Sequence, residues 1–146
     1  MKSSSGCNEI VKWVTSRLGV PDTAYGLNPL AICRRNAQGE IVVGIVYGPF
    51  NGYNVHAHIA SNGSRKWMTR KFLHEMFRVP FEDMGATGIT VTTDHRNRDS
   101  IRFVTRLGFE FRGSIPRGSN EGGDLLIYYF GRDKWNSRSN SKMAVG

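Results

Sequence analysis

The stretch Asn97-Arg98-Asp99-Ser100-Ile101-Arg102-Phe103-Val104-Thr105-Arg106-Leu107-Gly108-Phe109 decides the fold. It reads as a strand exit, a helix and an immediate return to strand. Ile101, Phe103, Val104 and Leu107 fall on one apolar helical face. Arg98, Arg102 and Arg106 recur every fourth residue and form a basic stripe beside it. Gly108 suits a left-handed cap that stops the helix, and Phe109 opens the next strand.

Working outward, Ile89 to Thr93 reads as the strand before this helix and Phe109 to Arg112 as the strand after it. Ser114 to Gly123 is a polar, glycine-rich loop. Asp124 to Phe130 is an apolar run of the kind expected for a strand covered on both faces. From Asp133 onward the chain is polar and reads as a frayed tail, so the expected domain is 1–132 with a tail of 133–146. Upstream, Thr69 to Val79 reads as a helix with Phe72, Leu73, Met76 and Phe77 on one face, ended by Pro80. A polar, basic loop, Ser61 to Met68, precedes it.

Nearer the start, Glu9 to Leu18 is helical by its Ile10, Val14, Leu18 spacing, with Gly19 and Pro21 as stops. Pro21 to Pro29 is turn-rich. Three strands follow, Leu30 to Arg34, Glu40 to Tyr47 and Tyr53 to Ala60, separated by turns at Asn36–Gly39 and Gly48–Gly52. In the third, Val55, Ala57 and Ile59 face one way and His56 and His58 the other. Short turns make these strands antiparallel. The helix from Thr69 is then a crossover that makes its flanking strands parallel. The fold class is α/β, a mixed sheet with helices on its faces.

Composition narrows the partners. At 146 residues and 39% apolar content the chain is long enough for one sizeable core. No apolar run approaches the ~20 residues that span a bilayer, and no long apolar segment follows Met1-Lys2-Ser3-Ser4-Ser5, so the expectation is a cytoplasmic protein without a signal peptide. Cys7 and Cys33 form no Cys-x-x-Cys pair and read as reduced thiols. A net charge of +8 favours a polyanionic partner, a nucleic acid or a phosphorylated cofactor.

The Asn-to-Gly-Phe block and the element order together resemble the GCN5-related N-acetyltransferase (GNAT) superfamily over roughly residues 30 to 132. Within it the chain looks most like small acetyltransferase-like proteins encoded by bacteriophages. The residues that carry this are Trp67-Met68-Thr69-Arg70, the Phe-Leu helix after it, Pro80-Phe81, and the Asp-rich loop before the last strand. The resemblance implies acetyl-CoA as cofactor and transfer of its acetyl group to a small-molecule or protein amine. It implies that Ile59, Ala60 and Ser61 face the pantetheine arm, with His58 at the start of that segment. It implies that Ser64, Arg65, Lys66, Trp67, Met68, Thr69 and Arg70 wrap the pyrophosphate, with Lys71 adding charge. Asn97 would lie near the thioester end, and Phe103 near the cofactor arm.

The chain departs from the family pattern twice. The phosphate loop has Trp67 and Thr69 where many members have glycines, with only Gly63 nearby. Val104 stands where many enzymatic members have a Tyr that protonates the leaving thiolate. A thiol of pKa ~8.5 leaves tolerably without such an acid.

Acetyl transfer to an amine needs a place for the amine proton. His56 and His58, on one face and titrating near neutrality, are candidate bases. The alternative is that both are partly buried histidines hydrogen-bonded in a sheet. No third ligand stands at a useful spacing, so no metal is expected. An amide near Ile59 or Ala60 would polarise the carbonyl. Asp94 and His95 either line the cleft or form a turn at a strand end, and Glu75 is read as solvent-facing. The arginine stripe has three readings: a solvated face, a cofactor-phosphate contact through Arg98, or phosphate contacts to nucleic acid. A GNAT-fold protein that has lost catalysis and serves as a phage structural or binding module also remains, as does a nucleic-acid-binding or base-modifying protein, motivated by the net charge and the arginine stripe; either a monomer or a homodimer is open.

Overall fold

The computed structural model describes residues 4–145, and the side chains of 8–138. The expectation for the first five residues therefore lies partly, and that for the Cys7 side chain wholly, outside what is described. The chain forms two compact units, Met1–Ala86 and Thr87–Gly146. Helices and strands occur in the expected order, giving the mixed α/β architecture read from the sequence.

In the first unit, α1 (Ser4–Leu18) is followed by a 3₁₀ turn (Asp22–Tyr25) and by β1 (Leu30–Arg35), β2 (Ile41–Phe50) and β3 (Asn54–Ser61). The three strands are antiparallel neighbours. The β1–β2 turn forms because Asn36 Oδ1 accepts from the amides of Gln38 and Glu40, both at 3.0 Å. Asn51 does the same for the next turn, accepting from Tyr53 and Asn54. Gly48–Gly52 was expected to be that turn. Instead β2 runs on through Phe50, and the register shifts between Tyr47↔Ala57 and Phe50↔Val55. Two residues, Gly48 and Pro49, thus oppose His56 alone, a bulge. Gly48 is required there: a Cβ would collide with the Tyr25 carbonyl oxygen.

One face of this sheet takes α1 and the 3₁₀ turn. Ile10, Val14, Tyr25, Ala31, Ile41, Val46 and Ala60 form a buried cluster there. Gly44 lets Val14 and Ile10 approach the sheet. The other face takes α2 (Arg70–Arg78), which buries Phe72, Met76 and Phe77; Tyr47 Oη donates to the Met76 carbonyl at 2.7 Å. Pro80 does not end the helical path. A π turn, Val79–Asp83, continues it, with the Met84 amide on the Val79 carbonyl at 3.0 Å. Pro80 has no N–H to offer the Met76 carbonyl four residues earlier, and Tyr47 Oη donates there instead.

The second unit contains β4 (Gly88–Asp94), α3 (Arg98–Leu107), β5 (Glu110–Ile115), β6 (Leu125–Gly131) and α4 (Arg132–Val145). β6 lies between β4 and β5 and is antiparallel to both. Three expectations change here. The loop expected from Ser114 begins later, because β5 extends to Ile115. β6 was expected to be buried throughout, yet only Tyr128 and Phe130 are; Leu125, Leu126, Ile127 and Tyr129 are half-buried. The frayed tail is a helix. α4 buries Trp135, and its Lys134 Nζ and Arg138 Nη1 donate to the carbonyls of Gly108 and Leu107 at 2.5 and 2.8 Å. Those carbonyls end α3 with no helical donor, so α4 supplies both the bonds and the positive charge that the helix dipole favours there.

Candidate functional site

The site residues expected from the sequence fall in two groups. Residues 56–70 follow β3, the loop after it and the start of α2 in the first unit. Asn97 and Phe103 belong to α3 in the second.

His56 and His58 do share a face of β3, the face that takes α1, with ring centroids 6.5 Å apart and near-parallel planes. Their surroundings differ. His58 Nε2 lies 2.8 Å from the Gly48 carbonyl, and the ring meets Tyr25 edge-on at 4.8 Å. A carbonyl only accepts, so the neutral ring carries its proton on Nε2 and its lone pair on Nδ1. Tyr25 is held in turn, its Oη 2.9 Å from Thr15 Oγ1, which donates to the Val11 carbonyl. The threonine proton is spent on Val11, so the tyrosine donates. Burial pushes the Tyr25 phenol up. His56 stands opposite the Gly48–Pro49 bulge, half-buried, with no hydrogen-bond partner among the described residues. Burial lowers the pKa of His56. It also lowers that of His58, where the Gly48 bond partly opposes it and the His56 charge adds to it. Both rings are held towards the neutral, proton-accepting form.

Beyond the histidines, Ile59 and Ala60 pair with Ile45 and Gly44. Ser61 is already engaged: Arg17 Nε donates to its carbonyl at 3.0 Å, and its Oγ accepts from the Gly63 amide. The loop is built on its own polar groups. Asn62 Oδ1 accepts from the Ser64 amide, Ser64 Oγ from the Lys66 amide, the Arg65 carbonyl from the Met68 amide and the Trp67 carbonyl from the Thr69 amide. Trp67 is buried against the edge of Phe72, at 5.9 Å, and anchors the loop. Thr69 caps α2, its Oγ1 accepting from the Phe72 amide at 3.2 Å and from Arg34 Nη1 at 2.8 Å. The amides of Arg70 and Lys71, in the first turn, have no helical carbonyl to pair with. Arg65, Lys66, Arg70 and Lys71 are exposed around them, and no acid lies in the first turn. Gly63 faces open space. This donor set fits a pyrophosphate at the helix start, held by cations and two amides.

On α3, Asn97 is exposed and serves as the N-cap, its Oδ1 accepting from the Ser100 amide at 3.1 Å. Phe103 is half-buried. Val104, at the position of the expected proton donor, is 1% exposed and part of the core, so that position holds no titrating group.

Sequence reasoning missed one constellation. Asp94, whose side chain is 4% exposed, receives both Arg96 Nε and Nη2 at 2.9 Å, the Arg96 amide at 2.8 Å and Ser119 Oγ at 2.5 Å. The Arg96 guanidinium first, then the Ser119 hydroxyl and the Arg96 amide, hold its carboxyl well below the usual carboxylate range. His95 Nδ1 accepts from the Asp124 amide at 2.9 Å. Gly123 packs so closely on Asp94 and Arg96 that no side chain fits. Asp94 and His95 thus form the expected turn at the end of β4, with the Asn97 amide on the Asp94 carbonyl at 2.9 Å, and they also tie that end to the β5–β6 loop. Glu75, read as solvent-facing, is half-buried and bonded bidentately by Arg78 at 2.8 Å.

Among the described residues no three His, Cys, Asp or Glu side chains converge as metal ligands, and no helix is long and apolar enough to cross a membrane. No protein-family model and no curated protein matches the sequence. Solved structures do match by shape. Mutant forms of the spermidine/spermine N-acetyltransferase SpeG from Vibrio cholerae align with a TM-score of 0.66 at 15% identity, over 78% of this chain and 74% of that one. A dodecameric structure of spermidine N-acetyltransferase from the same organism gives 0.67 at 15%, over 78% and 71%. A GNAT-family acetyltransferase from Bacillus anthracis gives 0.53 at 19%, over 66% and 62%. At these identities the likeness speaks for backbone architecture, and on that ground the chain has the fold of the GNAT-superfamily acetyltransferases.

Proposed function

We propose that the protein is an acyl-CoA-dependent N-acyltransferase of bacteriophage type, acting in the host cytoplasm and moving acetyl from acetyl-CoA to an amine. The observation that carries the reading is His56: half-buried, kept neutral by its surroundings, and on the strand that leads into the cation-rich start of α2. His58 lies on the same strand, but its Nε2 is committed to Gly48 and its ring to Tyr25.

Bound acetyl-CoA supplies an acetyl group activated on a thiol leaving group. Arg65, Lys66, Arg70 and the amides of Arg70 and Lys71 would hold its pyrophosphate, and Ile59 to Ser61 would face its arm. The amine nitrogen forms the new C–N bond as the C–S bond breaks. His56 takes the proton the amine gives up, and the sulfur leaves as thiolate, which needs no donor at Val104 because a thiol ionises near pH 8.5 (approximate).

The known acceptors of the Vibrio cholerae relatives make spermidine a first amine to assay. A heat titration with acetyl-CoA tests the reading; no binding at millimolar cofactor overturns it. With binding established, release of free thiol on adding an amine should follow, and His56→Ala should lower kcat by about 10²-fold or more.

A second reading, a GNAT-fold binding module without catalysis, is favoured by the buried Val104 and by a loop whose amides are largely satisfied internally. It expects acetyl-CoA binding with no thiol release from any amine panel.

A further inference from the structure

The arginine stripe on α3 is the feature that acyl transfer leaves unused. Arg98, Arg102 and Arg106 are all exposed. Arg102 reaches Asp99 at 3.5 Å, an open contact with side chains 54% and 84% exposed. The guanidinium groups of Arg98 and Arg106 have no ion-pair partner among the described residues. Four residues advance a helix by about 6 Å, so the three charges form a line about 12 Å long that drifts slowly round the axis. At the far end Lys134 and Arg138 sit on the last carbonyls of α3 and continue the positive charge. Asp99 faces Arg102, and Glu110 is shared between Arg112 at 2.8 Å and Lys134 at 3.8 Å.

A merely solvated helix face gains from opposite charges four residues apart. Like charges at that spacing cost about 0.2–0.5 kcal/mol per pair. This face carries that cost twice. A single phosphate does not relieve it, because cations spread over about 12 Å do not converge on one anion. A chain of phosphates does.

We propose that the exposed face of α3 binds the phosphodiester backbone of a nucleic acid, through phosphate contacts and without base readout. Binding of this kind releases counterions and weakens steeply with salt. The proposal uses residues other than the cations at the start of α2, and it holds whether or not the chain transfers acetyl groups.

The test is fluorescence anisotropy of a labelled duplex of about 20 base pairs with the full chain, between about 50 and 200 mM salt. Arg102→Gln/Arg106→Gln is the variant; glutamine keeps the helix. The expected result is affinity falling linearly with salt on logarithmic axes. The double variant should lose about 1.8 from that slope, and Arg106→Gln alone about 0.9. A heat titration of the double variant with acetyl-CoA should match the unmodified chain. The proposal is overturned by absent binding at about 50 mM salt, by variants that bind with unchanged slope, or by parallel loss of acetyl-CoA affinity, which would make the stripe a cofactor-phosphate site.

Discussion

The helices α2 and α3 begin with the same device and are secured at opposite ends. Each starts with a side-chain oxygen accepting an amide three residues on, Thr69 to Phe72 and Asn97 to Ser100. At α2 the capping oxygen is also gripped by Arg34, and three buried side chains follow. At α3 the cap is exposed and Val104 alone is fully buried; the firm contacts come at the C-terminus, from α4. A helix start that must hold an anion has to be fixed before the anion arrives. α2 meets that condition, and α3 offers its flank instead.

Substitutions that remove each anchor should break this contrast in graded steps. Phe72→Ala should cost about 3–5 kcal/mol of stability in a denaturant titration, and Phe103→Ala, half-buried, less than half as much; equal losses would erase the distinction. Gly108→Ala should cost about 1–3 kcal/mol, because φ is +103° and the new methyl meets the Arg138 guanidinium. Hydrogen exchange should show that loss at the end of α3 with α2 unchanged.

Acid should separate the two units. The folded pKa values of His56 and His58 are lowered, so their contribution is complete above the unfolded value of about 6.5 and is lost as pH falls through the folded values, by at most about 1.4 kcal/mol per pH unit for each ring. Asp94 is lowered too, and its contribution persists until pH falls below the usual carboxylate range. Amide exchange in β3 should therefore quicken near pH 6 (approximate) while the β5–β6 loop stays protected.

Smaller effects follow at the caps. Thr69→Ala should cost about 1–2 kcal/mol and Asn97→Ala about 0.5–1. Lys134→Gln and Arg138→Gln should each cost about 0.3–1 kcal/mol, and less at high salt.

The sequence made the strands and the two central helices legible because their signals are local. Gly108 follows an apolar helical face, Asn36 and Gly39 sit between β-branched runs, and His56 and His58 alternate with Val55 and Ala57. What stayed hidden depends on partners distant in the chain. α4 has no apolar stripe beyond Trp135, and its value lies in two cations reaching carbonyls 26 and 31 residues earlier. Asp94 reads as a turn residue and is one, but its tie to Ser119, 25 positions away, left no local signal. The difference between His56 and His58 rests on the Gly48 carbonyl and on Tyr25, which no periodicity reveals. Pro80 misled because a π turn accommodates it.

The buried Trp67 has an optical consequence. Of the three tryptophans, Trp13 lies half-buried on α1 under the Arg17 guanidinium at 4.7 Å, Trp135 is buried on α4, and Trp67 is buried in the loop before α2. An indole inside the protein emits at shorter wavelength than one in water. With Trp13 and Trp135 changed to phenylalanine, the remaining emission reports on that loop alone. Acetyl-CoA seated at the start of α2 would then be visible as a colour change without any label.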